Sequence, residues 1–298
     1  MTAFSCQDIR DRGLRLVSPA DSEFGSLLED IRRRTAAPHP SIAVLPWPSI
    51  PADLEFAAIL RNQSGHAIAA LALEWRFEEA DGRQTAHQIV SAFAKQLLVP
   101  HGLAPEFLRM TRYWSSIRPG SKRLLAGAEM FGENTDARAP EPGEIPFGIG
   151  LGSSGGAAAG WLPPAGELRE VVLAIDGCFF DNGEFVGPNR CRLWEQVCYE
   201  AEVMLEIAGM ARAGRQRGLN SADVLAEIAS FLGPPDDLRL ERNRTGPGMD
   251  EPEQFRETER GNLAFWLHHT LEHTGNEATL TQLLAWLEFP CPQLKRVG

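Results

Sequence analysis

Apolar positions along the chain change their period twice, and those changes divide it. Over 21–34, Phe24, Leu27, Leu28 and Ile31 recur at helical spacing. Arg32, Arg33 and Arg34 end the run, where positive charge suits the macrodipole. Ala36-Ala37-Pro38-His39-Pro40 then breaks it. From Ser41 the period falls to two. Leu71, Leu73, Trp75 and Phe77 alternate with Ala72, Glu74, Arg76 and Glu78, as in a strand with one face inside. Leu54 to Arg61 reads the same way, with Leu54, Phe56, Ala58 and Leu60 on one face. Asn62-Gln63-Ser64-Gly65 joins the two as a turn, and Asp81-Gly82 opens a hairpin. Further strands are expected over 123–126, over 170–175 and at Phe185-Val186. Turns at Ile117–Ser121 and Asp181-Asn182-Gly183 precede the first and last of these. The stretch 91–113 fits a strand or a short helix.

After Pro188 the period becomes helical. Leu193, Val197, Met204, Leu205 and Ala208 form one stripe. Ser221 fits the N-cap of a second helix carrying Val224, Leu225, Ile228 and Leu232, stopped by Gly233-Pro234-Pro235. Asp250 with Glu253 resembles a capping box for a third helix that ends before Gly275. Asn276 then caps a fourth with Leu280, Leu283, Leu284 and Leu287, and the last two pair as an αα-hairpin. The expected fold class is α+β: an antiparallel β-sandwich followed by a C-terminal helical region. The expected organisation is an N-terminal helical segment over 1–40, a β-sandwich domain over 41–188 with a Gly/Pro-rich loop over 132–166, and a helical appendage over 189–298 ending in the αα-hairpin.

The strand segment resembles an immunoglobulin-like or fibronectin-like β-sandwich. The resemblance is carried by Trp75 within its alternating strand, the Asn62–Gly65 and Asp81-Gly82 turns, and Arg118-Pro119-Gly120-Ser121 before a late strand, over about 41–186. It departs from antibody domains in having no cysteine between Cys6 and Cys178, so their inter-sheet disulfide is absent. It implies a binding or scaffolding module.

Composition narrows the functional classes. With 298 residues the chain is long enough for a full apolar core. Its formal charge is 29 − 40 = −11, which argues against a nucleic-acid surface. The longest apolar run, Ala67 to Leu73, is far short of a membrane span. Asp8 and Arg10 interrupt any apolar leader at the N-terminus. Five cysteines, none in C-x-x-C spacing, read as reduced thiols in a cytoplasmic protein.

Three motifs invite chemistry. Gly152-Ser153-Ser154-Gly155-Gly156 is a literal G-x-S-x-G. In a serine hydrolase of the α/β-hydrolase type, Ser154 would be the nucleophile and His269 or a neighbouring His the base, with Asp176 or Asp181 orienting the imidazole. The helix such an elbow needs would run into Pro163-Pro164, and the strands before it look antiparallel. The same segment spells a G-x-G-x-x-G, but the crossover helix of a dinucleotide site meets the same obstacle, so no cofactor is expected. His269-x-x-Glu272-His273 is the inverted zinc-peptidase pattern, with His269 and His273 on one helix face. A third ligand is not evident, because only Glu277 and Glu288 follow. Trp161, between Gly160 and Pro163, is the candidate anchor for a partner. The leading expectation is a non-enzymatic interaction or scaffold module with a protein partner. The serine hydrolase and the zinc hydrolase are the alternatives.

Overall fold

A computed structural model describes residues 2–35, 54–92, 117–126, 129–131 and 168–234. It further describes 256–257, 260–261, 263–264, 267–268, 270–272, 275–288 and 293–297. The fold is mixed α+β. The strands are β1 (Ala3–Gln7), β2 (Leu14–Val17), β3 (Ala57–Asn62), β4 (Ile68–Glu79), β5 (Gln84–Ala92), β6 (Lys122–Ala126), β7 (Glu129–Phe131), β8 (Leu168–Phe180), β9 (Glu184–Val186) and β10 (Lys295–Arg296). The helices are α1 (Phe24–Thr35), α2 (Leu193–Gln216), α3 (Ser221–Leu232) and α4 (Asn276–Glu288), and the described residues of 256–272 are helical as well.

The strands form two sheets. Sheet A has the order β10-β9-β8-β4-β5, with β1 added beside β8; sheet B has the order β2-β3-β6-β7. β8 is long enough to carry two neighbours in succession. β1 runs parallel to it over 170–174, and β9 runs antiparallel to it at 178–179. The expected β4–β5 hairpin forms, antiparallel from Glu78↔Gln84 to Ala70↔Ala92 with Gly82 turning the chain at φ +85°. β3 and β4, joined by the Asn62–Gly65 turn and expected as neighbours, do not pair, because the turn carries the chain from sheet B to sheet A. Antiparallel pairing is not universal, however. β1 lies parallel to β8 and β10 lies parallel to β9, so sheet A is mixed and curled rather than one half of a closed antiparallel sandwich. Tight turns force antiparallel neighbours, but β1 and β10 arrive from distant parts of the chain and are free of that constraint.

The apolar side of the β4 alternation faces inward as the pattern predicts, whereas its other side, expected outside, is buried as well at Ala70, Ala72 and Glu74. Leu71, Leu73, Trp75 and Phe77 join Val171, Leu173 and Ile175 of β8 and Leu14, Leu16, Ala58, Leu60 and Leu125 of sheet B in one core between the sheets. Trp75 stacks between Phe77 and Phe4, with ring centroids 6.5 and 6.2 Å away. The opposite face of sheet A, with Ala70, Ala72 and Phe179, packs on α2, α3, α4 and Leu263, Ala264 and Leu267. Sheet B turns Val17, Ala57, Ile59 and Leu124 toward Phe24, Leu28 and Ile31 of α1. Three apolar cores thus separate helix, sheet, sheet and helices. Removing this much apolar surface from water is the principal stabilising contribution.

Two details of the helical reading change. Leu205 leaves the buried stripe and stands 47% exposed, because α2 buries Ala201, Met204 and Ala208 instead. Asn220, not Ser221, caps α3 by accepting the Asp223 amide at 2.9 Å. Ser221 donates to Glu277 at the start of α4, and Arg215 of α2 joins the same carboxylate. The Ser221 hydroxyl and then the Arg215 guanidinium hold Glu277 below the usual carboxylate range. Gly275 fits the C′ position, with φ +76° and its amide on the Leu271 carbonyl. Ahead of α1, β1 and β2 join sheets A and B.

Candidate functional site

The candidate site forms where β8 breaks step. Leu73 faces Ile175 and Ala72 faces Gly177, so Asp176 is the extra residue of a β-bulge. A bulge inverts the facing of everything after it. Before it Val171, Leu173 and Ile175 point between the sheets; after it Cys178 and Phe180 do so. Freed from the ladder, Asp176 turns to the segment that leads into α2. Its Oδ1 accepts the Arg190 amide at 3.0 Å, its Oδ2 accepts the Cys191 amide at 2.7 Å, and its carbonyl accepts the Asn189 amide at 2.9 Å.

That segment, Gly187-Pro188-Asn189-Arg190-Cys191-Arg192, is wound tightly enough to need left-handed backbone. Asn189 has φ +68° and Arg192 φ +57°. Gly187 has φ +115°, and a Cβ there would lie 2.5 Å from the Asp176 carbonyl oxygen, so only glycine fits. Asn189 then serves the helix. Its Oδ1 accepts the Trp194 amide at 2.8 Å, and its Nδ2 donates to Glu195 at 2.7 Å. Arg190 reaches back to β4 and donates to Glu74 at 2.8 Å; Arg76 stands 3.3 Å from the same carboxylate. Glu74, on the polar side of the alternation, is therefore buried under a guanidinium rather than open to water. Cys191 sits beside this acid pair. Burial first, and Asp176 second, push its thiol far above the ordinary range, so it is held as an unreactive thiol. Desolvation likewise pushes Cys178 up, and Cys6 up to about 12. Among the described residues no cysteine is in a disulfide.

The second acid, Asp181, lies five residues on in the β8–β9 turn and is half-exposed. It does meet a histidine, but from the β3–β4 turn: His66 Nδ1 stands 3.2 Å from Asp181 Oδ1. Asn182 Nδ2 lies 3.3 Å from the other ring nitrogen. Ser64, in the same turn, donates its hydroxyl to Asn62 Oδ1 at 2.6 Å.

Of the residues singled out from sequence, Ser154, Trp161, His269 and His273 lie outside the described residues. Asp176 is the main-chain clamp just described. Glu272 is exposed and stands 3.3 Å from His268, four residues earlier. Among the described residues no three of His, Cys, Asp and Glu stand together as a metal site, and no helix is long and apolar enough to cross a membrane. The residues that sequence reading missed are Asn189, Arg190 and His66. Their partners lie up to 116 positions away, beyond any local spacing rule. The positive-φ need at Gly187, ahead of Pro188, was the one local signal. No family model, no curated protein and no solved structure matches this chain.

Proposed function

We propose that the chain is a non-enzymatic interaction or scaffold module of the cytoplasm, with a β-sandwich-like centre of immunoglobulin type, a helical appendage and a protein partner. The observation that carries this reading is the use made of Asp176. Chain order offers it as the acid of a Ser–acid–His triad, yet both its oxygens are taken by main-chain amides of the segment that starts α2. A carboxylate with a main-chain amide on each oxygen acts as a joint of the fold, which supports a scaffold role for Asp176. Cys178 and Cys191 support the same reading, since burial raises their thiols and disfavours the thiolate that nucleophilic chemistry needs. Leu205, 47% exposed on α2, is the apolar side chain that this reading assigns to the partner.

Fluorophosphonate labelling of the full chain tests the reading against its serine-hydrolase alternative. Absence of labelling is expected; labelling abolished by Ser154→Ala makes the protein a hydrolase. Metal analysis tests the zinc alternative, which gains if stoichiometric zinc is lost in His269→Ala. Quantitative affinity capture with wild type, Leu205→Arg and Trp161→Ala then tests the module itself. A saturable partner weakened by either change is the expected result.

A further inference from the structure

The β8–β9 turn holds a hydrogen-bonded relay whose direction can be worked out. Asn182 Oδ1 accepts the amide of Glu184, the first residue of β9, at 3.0 Å. With its oxygen committed there, the Asn182 atom facing His66 Nε2 at 3.3 Å is the amide nitrogen, which can only donate. His66 Nε2 must then carry a lone pair, and the ring proton sits on Nδ1, facing Asp181 Oδ1 at 3.2 Å. The geometry therefore selects one neutral tautomer of His66.

Beyond Asn182 the relay reaches the edge of sheet A. Glu184 pairs with Lys295 of β10 at 2.7 Å, and Lys295 first, then Asn182, holds the Glu184 carboxyl below its ordinary range. The Lys295 amide donates to the Gly183 carbonyl at 3.1 Å, and the Val297 amide to the Phe185 carbonyl at 2.9 Å. Among the described residues β10 is also held at this edge by Arg296, which lies over the Phe185 ring at 5.7 Å and reaches the Pro188 carbonyl at 3.3 Å. Leu294 and Val297 pack against different cores, so this short strand ties the helical layer to the sheets.

We propose that His66 is a proton-operated latch: neutral, it holds the β8–β9 turn through Asn182; protonated, it draws Asn182 from Glu184 and loosens β10 from the edge of sheet A. The charged groups around the ring are Asp181 on its own side of the turn, Glu184 on β9 and, through Glu184, Lys295 on β10. A proton on Nε2 would face the Asn182 N–H across 3.3 Å, donor against donor. To keep the bond Asn182 must rotate its oxygen to the ring and surrender the Glu184 amide. The surrendered amide belongs to the first residue of β9, whose two-residue pairing anchors β10.

The test is nuclear magnetic resonance on the full chain, following the His66 ring nitrogens and backbone amides through a pH titration. At the alkaline end the ring is expected as the Nδ1–H tautomer. As it takes up its proton, the amides of Glu184, Lys295 and Val297 should shift with the same midpoint. Hydrogen exchange at Lys295 and Val297, corrected for intrinsic pH dependence, should accelerate about tenfold. In Asn182→Ala, His66 should still titrate while the coupled shifts vanish; β4 amides report folding in the same spectra. Should that variant not fold, His66→Gln must abolish the pH response of the three amides. An Nε2–H tautomer, amides indifferent to His66, or coupled shifts that survive in either variant would overturn the proposal.

Discussion

Asp176 and Asp181 stand five residues apart on one strand and its turn, and they behave as different chemical species. Asp176 is almost completely buried, in a bulge, and its partners are main-chain amides that cannot titrate. Asp181 is half-exposed, at a turn, and its partner is an imidazole that can. Residue type gives both a carboxylate. Burial and the nature of the donor make one a permanent joint of the fold and the other a member of a proton-responsive pair. The difference in cost follows. An amide orphaned inside is penalised fully, whereas an exposed ion pair is replaced by water at little loss.

The comparison breaks most readily at Asp176. Asp176→Ala leaves the Arg190 and Cys191 amides without an acceptor and should cost about 3 kcal/mol of unfolding free energy, read by chemical denaturation. A loss under about 1 kcal/mol would mean that water or backbone movement replaces the carboxylate, and the two acids would be alike. Gly187→Ala follows at about 2–3 kcal/mol, since it combines positive φ with a close approach to the Asp176 carbonyl. Arg190→Ala should cost about 1–2 kcal/mol, because Glu74 stays buried while the guanidinium it loses is half in water. Asp181→Asn should change stability by less than about 0.5 kcal/mol while removing the partner of His66 Nδ1.

Glu184 gives a smaller test with a definite sign. Its folded pKa is depressed below the ordinary value of 4.5, so its contribution is present above that value and is lost as pH falls through the depressed one. Lys295→Met removes the principal cause of the depression. Denaturation midpoints should therefore fall less steeply on acidification below about pH 4.5 in the variant than in wild type. Identical slopes would mean that the Lys295 contact contributes nothing in solution.

Local pattern made part of the fold legible. The inward face of β4, the Asp81-Gly82 hairpin and the helical runs of α1 to α4 depend on neighbours within a few residues and form as expected, whereas the cap of α3 falls to Asn220 rather than Ser221. Residues 3–7 also alternate in burial, with Phe4 and Cys6 partly inside, but five residues give the eye little to hold. The parallel pairing of β1 with β8 joins residues 167 positions apart (170 − 3), so no local rule announces it. Leu205 shows the limit for helices. Several stripes are possible on a 24-residue helix with apolar residues on more than one side, and only the packing partner selects among them. For the candidate site, Asp176 was visible as an acid in a plausible position. Its role was not, because the bulge that re-aims it is created by the register of β4 against β8.

By itself the sequence determined the turns at Asp81-Gly82 and Asp181–Gly183, the helical runs after Pro188 and which side of β4 faces the core between the sheets, since these depend on sterics and hydrophobic period over a few residues. The tertiary structure decided which strands run parallel, that Glu74 lies under Arg190, that Asp176 clamps the entry to α2, and that His66 faces Asp181 and Asn182. Those outcomes rest on the dielectric and donor set that distant segments impose on a group, and a side chain acquires such surroundings only when the chain has closed around it.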